Sequence, residues 1–308
     1  MATITKPSFS KPPLSVKDLI EKINSRGLII DDTELITRAL QKIGYYRLSI
    51  YFKPFMSHGD NFIENTVFDD ITKLYQFDCN LRFICITALE KIEVAFRAAM
   101  CDRLCLQTND PYWFLREELF IPNFITADSD GNTSHNKFLA KLEKDIRHCN
   151  EIFIESFKNK YSDTYLPSWM MVQVLPFGDC VYLYKNLKRS NKKFISDEFG
   201  LSIETFESWI YGLRVLRNHI AHYGRIWNRV FSATLTVKFK NELNYNLSED
   251  NSRLLSGYIA VIDHFMNIID PNPQWSQEYT NCVNKHIEMF SHKTDIQEKI
   301  KKYTLLSE

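Results

Sequence analysis

The chain has 308 residues, enough for one large domain or two of ordinary size, and its 9 glycines and 10 prolines are too few for a turn-rich β-sandwich. Because 38 basic residues balance 38 acidic ones, the net charge creates no attractive field, and an RNA-binding role requires a local basic surface. The seven cysteines suit neither a disulfide framework nor a zinc site, and no apolar run suits a secretion signal or a membrane span, so we expect a cytoplasmic protein with no metal, cofactor or membrane contact.

The first half of the chain predicts helices. Residues 1–13, rich in Pro, Ser, Thr and Lys, are expected to form a flexible tail. Two short helices are predicted within 15–27 and 31–44, each between a polar cap and a glycine. The aromatic residues of 45–55 favour a strand. Residues 68–106 lack glycine and proline and carry apolar residues at helical spacing, which predicts the longest helix.

The second half continues the helical pattern. It resumes at 136–160, and two helices broken at Pro176 and Gly178 follow. An extended crossover without a partner strand is expected over 230–247. The remaining helices are predicted at 202–223, 248–268 and 277–302. The predicted fold class is therefore all-α, with a single helical domain over 14–308.

A cluster of polar residues occupies the end of the predicted 202–223 helix. The segment LRVLRNHIAHYGRIWNR, which begins at residue 213, contains four arginines, two histidines and two asparagines. On a helical wheel Asn218 and His222 share one polar stripe, and Arg214 and Arg225 lie beside them. This stripe is the candidate functional site.

Arginine and histidine without a metal suit the cleavage of RNA, in which the ribose 2′-OH attacks the neighbouring phosphate. Histidine transfers the protons, a contribution of about 10² to 10⁴ in rate, and arginine stabilises the developing charge bidentately. Asn218 can orient either the histidine or a phosphate oxygen. Arg217 lies roughly 140° around the helix from His222, so a second copy of the helix is needed to bring both to one target. We therefore predict a homodimer.

Spacing alone leaves two questions open. Arg214 with His219 fits the Arg-x4-His spacing as well as Arg217 with His222 does, and chance alone gives about 0.4 such matches in a chain of this composition. A polar helix C-terminus, where arginine and histidine offset exposed carbonyls, also explains the cluster, and spacing by itself favours that interpretation.

Two other charged groups are candidates for function. The segment KNLKRSNKK can track a phosphate backbone, although a solvated helix end is the commoner explanation for such a run. Its basic residues are Lys185, Lys188, Arg189, Lys192 and Lys193. Glu90, Glu93 and Arg97 share one helix face, which favours an intrahelical ion-pair ladder over an acidic catalytic pair.

The string RNHIAHYGRIWNR resembles the signature of the Abi-like (AbiD/AbiF) abortive-infection family, whose core belongs to the HEPN superfamily of metal-independent ribonucleases. In that signature a polar residue directly follows the arginine of Arg-(x4 to x6)-His. Arg217, Asn218 and His222 fit it, whereas Arg214 is followed by Val215. The family's downstream extension corresponds to Arg225, Trp227 and Asn228. Further segments similar to the family occur in the same order, so the resemblance covers residues 14–230.

The resemblance implies a HEPN-type helical bundle with additional N- and C-terminal helices. It implies a dimer with a composite catalytic groove, because related type VI CRISPR effectors carry two Arg-His motifs per chain and this sequence has one such region. The implied protein is an antiphage toxin, an endoribonuclease with Arg217, Asn218 and His222 as catalytic residues. A small structured noncoding RNA restrains some relatives and is a candidate inhibitor. The alternatives are a non-catalytic module that grips a structured RNA or a phage component, and a protein interaction sensor.

Overall fold

The computed structural model describes residue 8 and residues 10–57, 59–237, 247–270 and 274–304. Over these ranges the chain forms fourteen α-helices and three short 3-10 helices, and its only β structure is a set of isolated bridges. The predicted all-α fold class is therefore confirmed. Most of the predicted tail at 1–13 and residues 238–246 of the predicted crossover lie outside the described residues.

The helices have the following bounds. They are α1 (Val16–Asn24), α2 (Thr33–Lys42), α3 (Tyr45–Phe52), α4 (Phe68–Thr108), α5 (Pro122–Ile125), α6 (Ser134–His148), α7 (Ile152–Lys160), α8 (Ser168–Val174), α9 (Phe177–Lys185), α10 (Arg189–Asp197), α11 (Ile203–Ala221), α12 (Leu255–Ile269), α13 (Gln274–Met289) and α14 (Thr294–Lys301). Contacts group the chain into two compact units. One consists of residues 1–80 and 288–297, and the other of residues 81–287 and 298–308. The single domain over 14–308 stays a prediction.

The first unit begins with the two expected helices. Ser15 and Asp18 form a capping box at α1, in which each side chain accepts a hydrogen bond from the other residue's N–H. Residues 45–55 form α3 and a 3-10 turn, so the predicted strand is wrong. The buried residues of α3, Leu48, Tyr51 and Phe52, recur at helical spacing, and this periodicity outweighs the β propensity of its aromatic residues.

Helix α4 is the longest helix, as predicted, and its residues from 81 onward form part of the second unit. The buried ring of Phe96 lies at the centre of an aromatic core. Its centroid is 6.2 Å from that of Phe177 on α9, 5.8 Å from that of Tyr184 on the same helix, and 5.9 Å from that of Phe206 on α11. Edge-on and tilted ring contacts of this kind hold α4, α9 and α11 together.

The predicted break at Pro176 is confirmed, since α8 ends at Val174 and α9 begins at Phe177, whereas the predicted break at Gly178 and the number of helices are wrong, because three helices occupy this region. Pro176 is the N-cap residue of α9, and Gly178 lies inside the first turn of that helix. A second break separates α9 from α10. There the buried Leu187 bridges to Phe120, and the N–H of Lys188 donates to the Leu119 carbonyl at 2.8 Å. Packing of Leu187 thus ends α9 where the lysine-rich sequence itself permits a continuous helix.

Three further predicted helices differ from the structure in their bounds or their number. The pattern at 136–160 forms two helices, α6 and α7, and the helix predicted at 248–268 begins at Leu255. The single helix predicted at 277–302 is wrong. It divides into α13 and α14 at a turn in which the N–H of Lys293 donates to the carbonyl of the buried Phe290, at 2.9 Å.

The described part of the predicted crossover, residues 230–237, runs beside α11. Trp209 Nε1 donates to the Thr236 carbonyl at 3.0 Å, and the Tyr258 hydroxyl on α12 donates to the Ala233 carbonyl at 2.9 Å. Side chains of two helices therefore satisfy these two carbonyls, while the N–H groups of Phe231 and Leu235 donate to the carbonyls of Arg253 and Ser252. This arrangement fixes the faces of α11 that are not available to a ligand.

Candidate functional site

Helix α11 ends with His222 as its C-cap residue. The N–H of Tyr223 donates to the Ile220 carbonyl at 2.8 Å, and the N–H of Gly224 donates to the His219 carbonyl at 2.9 Å. These are the two hydrogen bonds of a Schellman motif, whose first residue beyond the cap is usually glycine in the left-handed region. Here Tyr223 takes that place with φ 58°. An L-residue with a side chain is destabilised there by about 1–2 kcal/mol.

His219 holds the turn in place. Its Nε2 lies 2.9 Å from the carbonyl oxygen of Arg225, and its ring fills the space beside Gly224, where an added Cβ would overlap it. Glycine is therefore required at position 224, because the ring of His219 leaves no room for a Cβ atom there. The alternative pairing of Arg214 with His219 would rely on a histidine that already has a structural hydrogen bond, so the geometry favours His222.

Asn218 and His222 lie at the exposed end of α11. The only hydrogen bond between them is a backbone one, from the N–H of His222 to the Asn218 carbonyl at 3.1 Å. Neither side chain has a hydrogen-bond or ion-pair partner in the part of the chain that the structure describes. Both polar groups are accordingly accessible to a ligand.

Glu93 joins Arg217 to helix α4. One carboxylate oxygen, Oε2, is 3.3 Å from Arg217 Nε, and the other pairs with Arg97. The side chain of Glu93 is 13% exposed and that of Arg217 is 38% exposed. Because the Nε edge of Arg217 faces this largely buried carboxylate, the outer part of its guanidinium remains available to an anion. The predicted Glu93–Arg97 pair is present, whereas its link to Arg217 was missed.

Arg97 is itself anchored. Its Nη1 donates to the carbonyls of Val172 and Leu175 at the end of α8, the latter at 2.7 Å, and lies 3.4 Å from Cys180 Sγ. Burial raises the pKa of the Cys180 thiol to about 12, so this contact involves a neutral thiol at physiological pH. Arg217 is thus positioned through two further charged side chains that reach a helix end.

Arg214 lies across the ring of Tyr211. Its Cζ is 4.6 Å from the ring centroid, a cation–π contact on the exposed surface of α11. Its Nε is buried and has no hydrogen-bond partner among the described residues. Gly178, in the first turn of α9, packs against this side chain, since a Cβ there would lie 3.7 Å from Arg214.

The second basic cluster, residues 185–193, is largely compensated by acidic residues. Arg189 pairs with Glu204, Lys192 lies 3.2 Å from Glu207, and Lys193 lies 2.8 Å from Asp197. The side chain of Lys192 is only 11% exposed. Lys185 and Lys188 are exposed and have no ion pair among the described residues.

Within the described ranges, no three His, Cys, Asp or Glu side chains are grouped as metal ligands. No described helix is both long and apolar enough to cross a membrane.

Comparison with known proteins concerns the same region. Residues 38–228 match the model of a family described as Abi-like protein. The match covers more than half of the chain and includes all of α11 and most of the turn that follows it. Searches of curated proteins and of solved structures found no match.

Proposed function

The chain belongs to the Abi-like protein family, and from this premise we propose that it acts in abortive infection as a metal-independent endoribonuclease. One observation carries the proposal. Near the end of α11, Arg217 is held by the largely buried carboxylate of Glu93, and Asn218 and His222 are exposed there without side-chain partners in the described chain. If the end of α11 had only a structural role, its arginine would not need to be oriented by a carboxylate on a second helix.

In the proposed reaction His222 accepts the proton of the ribose 2′-OH as its oxygen attacks the adjacent phosphorus. The bond from phosphorus to the 5′-oxygen breaks. The leaving oxygen takes a proton from the corresponding histidine, His222, of the second subunit, which is protonated at the start of the reaction. The products are a 2′,3′-cyclic phosphate and a 5′-OH. The outer nitrogens of Arg217 stabilise the charge on the non-bridging oxygens, and Asn218 orients His222 or the phosphate.

RNA binding outside the reacting phosphate falls to cations at least partly exposed and without carboxylate partners in the described chain. On that criterion the half-buried Arg214 and Arg225 extend the site, with the exposed Lys185 and Lys188 as a more distant contribution. A structured noncoding RNA that restrains the enzyme would use the same cations. The RNA-binding module without catalysis is the competing proposal, and the following experiment separates the two.

The experiment compares the wild-type protein with His222→Ala in buffer containing EDTA. The control is His148→Ala, which removes another exposed histidine at a helix C-terminus. We expect fragments with 2′,3′-cyclic phosphate ends from the wild type and the control, and none from His222→Ala. Equal cleavage by His222→Ala would refute the nuclease. Intact RNA bound equally by all three proteins would favour the binding module.

The proposed dimer is tested by mixing wild-type and His222→Ala subunits and allowing them to exchange. If each reaction uses histidines of two subunits, an equal mixture retains about a quarter of the wild-type activity, because only wild-type pairs are active. Retention of half would show that each subunit cuts alone. Sedimentation at the assay concentration establishes whether the protein is a dimer.

A further inference from the structure

Tyr223 is strained and exposed at the same time. Its backbone is left-handed at φ 58°, although a bulky residue such as tyrosine does not favour that region. The residue is 71% exposed, so burial of the ring does not offset the strain. Strain of this kind next to candidate catalytic residues points to a use of the side chain in function.

The turn that carries Tyr223 is held on both sides. His219 bonds the Arg225 carbonyl, and the N–H of Asn228 donates to the Tyr303 hydroxyl at 2.7 Å. Between these anchors the side chains of Ile226 and Trp227 are fully buried. The exposed groups of residues 222–229 therefore project from a backbone that is fixed in advance, which lowers the entropy lost when a ligand binds.

The turn also carries two positive charges, those of Arg225 and Arg229. Both are half-buried, and neither has a carboxylate partner in the described part of the chain. Burial, and then the positive charge of Arg225, lower the pKa of Arg229 below its ordinary value. Holding two like charges together at a partly buried position is unfavourable in the free protein, and a bound anion would remove that penalty.

We propose that residues 223–229 form a nucleotide subsite for single-stranded RNA, in which Tyr223 stacks on an unpaired base while Arg225 and Arg229 bind a phosphate of the same strand. This inference rests on the proposed function and adds Tyr223 and Arg229 to its substrate contacts. Tyr223 directly follows His222, with about 3.8 Å between their Cα atoms, so the stacked base belongs to a nucleotide at or next to the cleaved bond. Stacking accepts every base because each has a π face, so the subsite selects unpaired RNA more than a sequence.

The test measures binding by the His222→Ala protein, which does not consume its ligand in the proposed mechanism. The probe is a short single-stranded RNA with 2-aminopurine, whose fluorescence is quenched by stacking. Tyr223→Asn removes the ring and tolerates the left-handed backbone, whereas Tyr223→Phe keeps the ring. We expect Tyr223→Asn to weaken binding about 5- to 150-fold and to restore fluorescence, and Tyr223→Phe to bind as its parent does.

Arg229→Ala tests the phosphate contact. We expect it to lower the slope of log affinity against log salt by about 0.7, as for one phosphate on a single strand. Arg147→Ala is the control, since that arginine is exposed on α6 and 3.8 Å from Glu143, and its slope should stay at the parent value.

Several results would overturn the subsite. They are unchanged binding by Tyr223→Asn, equally weak binding by Tyr223→Phe, an unchanged salt slope in Arg229→Ala, and no binding by the parent. If Tyr223→Asn does not fold, Tyr223→Gly removes the ring with a more permissive backbone. If the protein binds RNA through these residues without cutting it, the proposed nuclease activity is wrong and the subsite stands. If it cuts RNA but its affinity is unchanged in the Tyr223 and Arg229 variants, the subsite is wrong and the nuclease activity stands.

Discussion

Residues 185–193 and 213–229 are both rich in basic side chains, yet they differ in how those charges are compensated. In 185–193 three of the five cations lie against carboxylates. Of the four arginines in 213–229, only Arg217 has a carboxylate partner among the described residues, and Glu93 divides its charge between Arg217 and Arg97. The density of basic residues in a sequence is therefore a poor measure of the positive field that a ligand meets.

The largest expected effect comes from removing the buried carboxylate. Glu93→Gln leaves Arg97 and Arg217 without their shared counter-ion, and we expect it to lower the free energy of unfolding by about 3–5 kcal/mol. Glu204→Gln removes the exposed partner of Arg189, and we expect it to lower the same quantity by at most about 1 kcal/mol. Denaturant titration measures both. Equal losses would mean that the carboxylate partner of Arg217 stabilises the protein no more than the exposed partner of Arg189 does.

The next effect concerns geometry at constant charge. Arg217→Lys keeps the positive charge and loses the planar fork, so we expect single-turnover RNA cleavage to fall about 10²- to 10³-fold. Arg189→Lys makes the same change in the compensated region and should leave the rate within about twofold of wild type, since surface substitutions away from a site have small effects. Similar losses in both variants would contradict the assignment of Arg217.

A smaller effect tests the turn. Gly224→Ala places a methyl group against the ring of His219, and we expect a loss of about 1–3 kcal/mol in the free energy of unfolding. Gly178→Ala is the matched control on α9, where the added methyl makes an ordinary contact with Arg214 and removes the helical penalty of glycine. It should be neutral or stabilising by about 0.5–1 kcal/mol. A Gly224→Ala protein as stable as wild type would show that the turn is not tightly packed.

The smallest effect is expected when the cations of residues 185–193 lose their carboxylate partners and so come to resemble those of residues 213–229. Glu204→Gln combined with Asp197→Asn releases Arg189 and Lys193 from their partners. We expect non-specific RNA affinity to rise a few-fold at low salt and the salt slope to increase by at most about 1.4, as for two added phosphate contacts. Filter binding at several salt concentrations measures this. Unchanged affinity would mean that the ion pairs do not limit the binding of RNA by Arg189 and Lys193.

Local pattern predicted much of the fold. The 41-residue helix α4 has no glycine or proline and a sustained apolar stripe, so its bounds could be predicted closely from sequence. The helix α3 could not, because its aromatic residues suit a strand as well as a helix and only their buried neighbours decide. The break after α9 likewise depends on where Leu187 is buried.

The candidate site was predictable in its residue types and not in its support. Arg217, Asn218 and His222 follow from the motif, and their placement at the end of α11 follows from the apolar stripe of that helix. The role of His219 depends on the path of the chain after the helix, and the role of Glu93 depends on which face of α4 meets α11. Long-range contacts of this kind leave no periodic trace in the sequence.

The shared carboxylate of Glu93 has a consequence for how an anion would reach Arg217. In the free protein this guanidinium already has a counter-ion that is part of the chain, so a phosphate exchanges with a permanent neighbour as well as with dissolved salt. Arg225 and Arg229, without such a neighbour in the described chain, recruit their counter-ions from solution and release them when RNA binds. Ionic-strength measurements will therefore register the two downstream arginines more fully than the arginine closest to the chemistry.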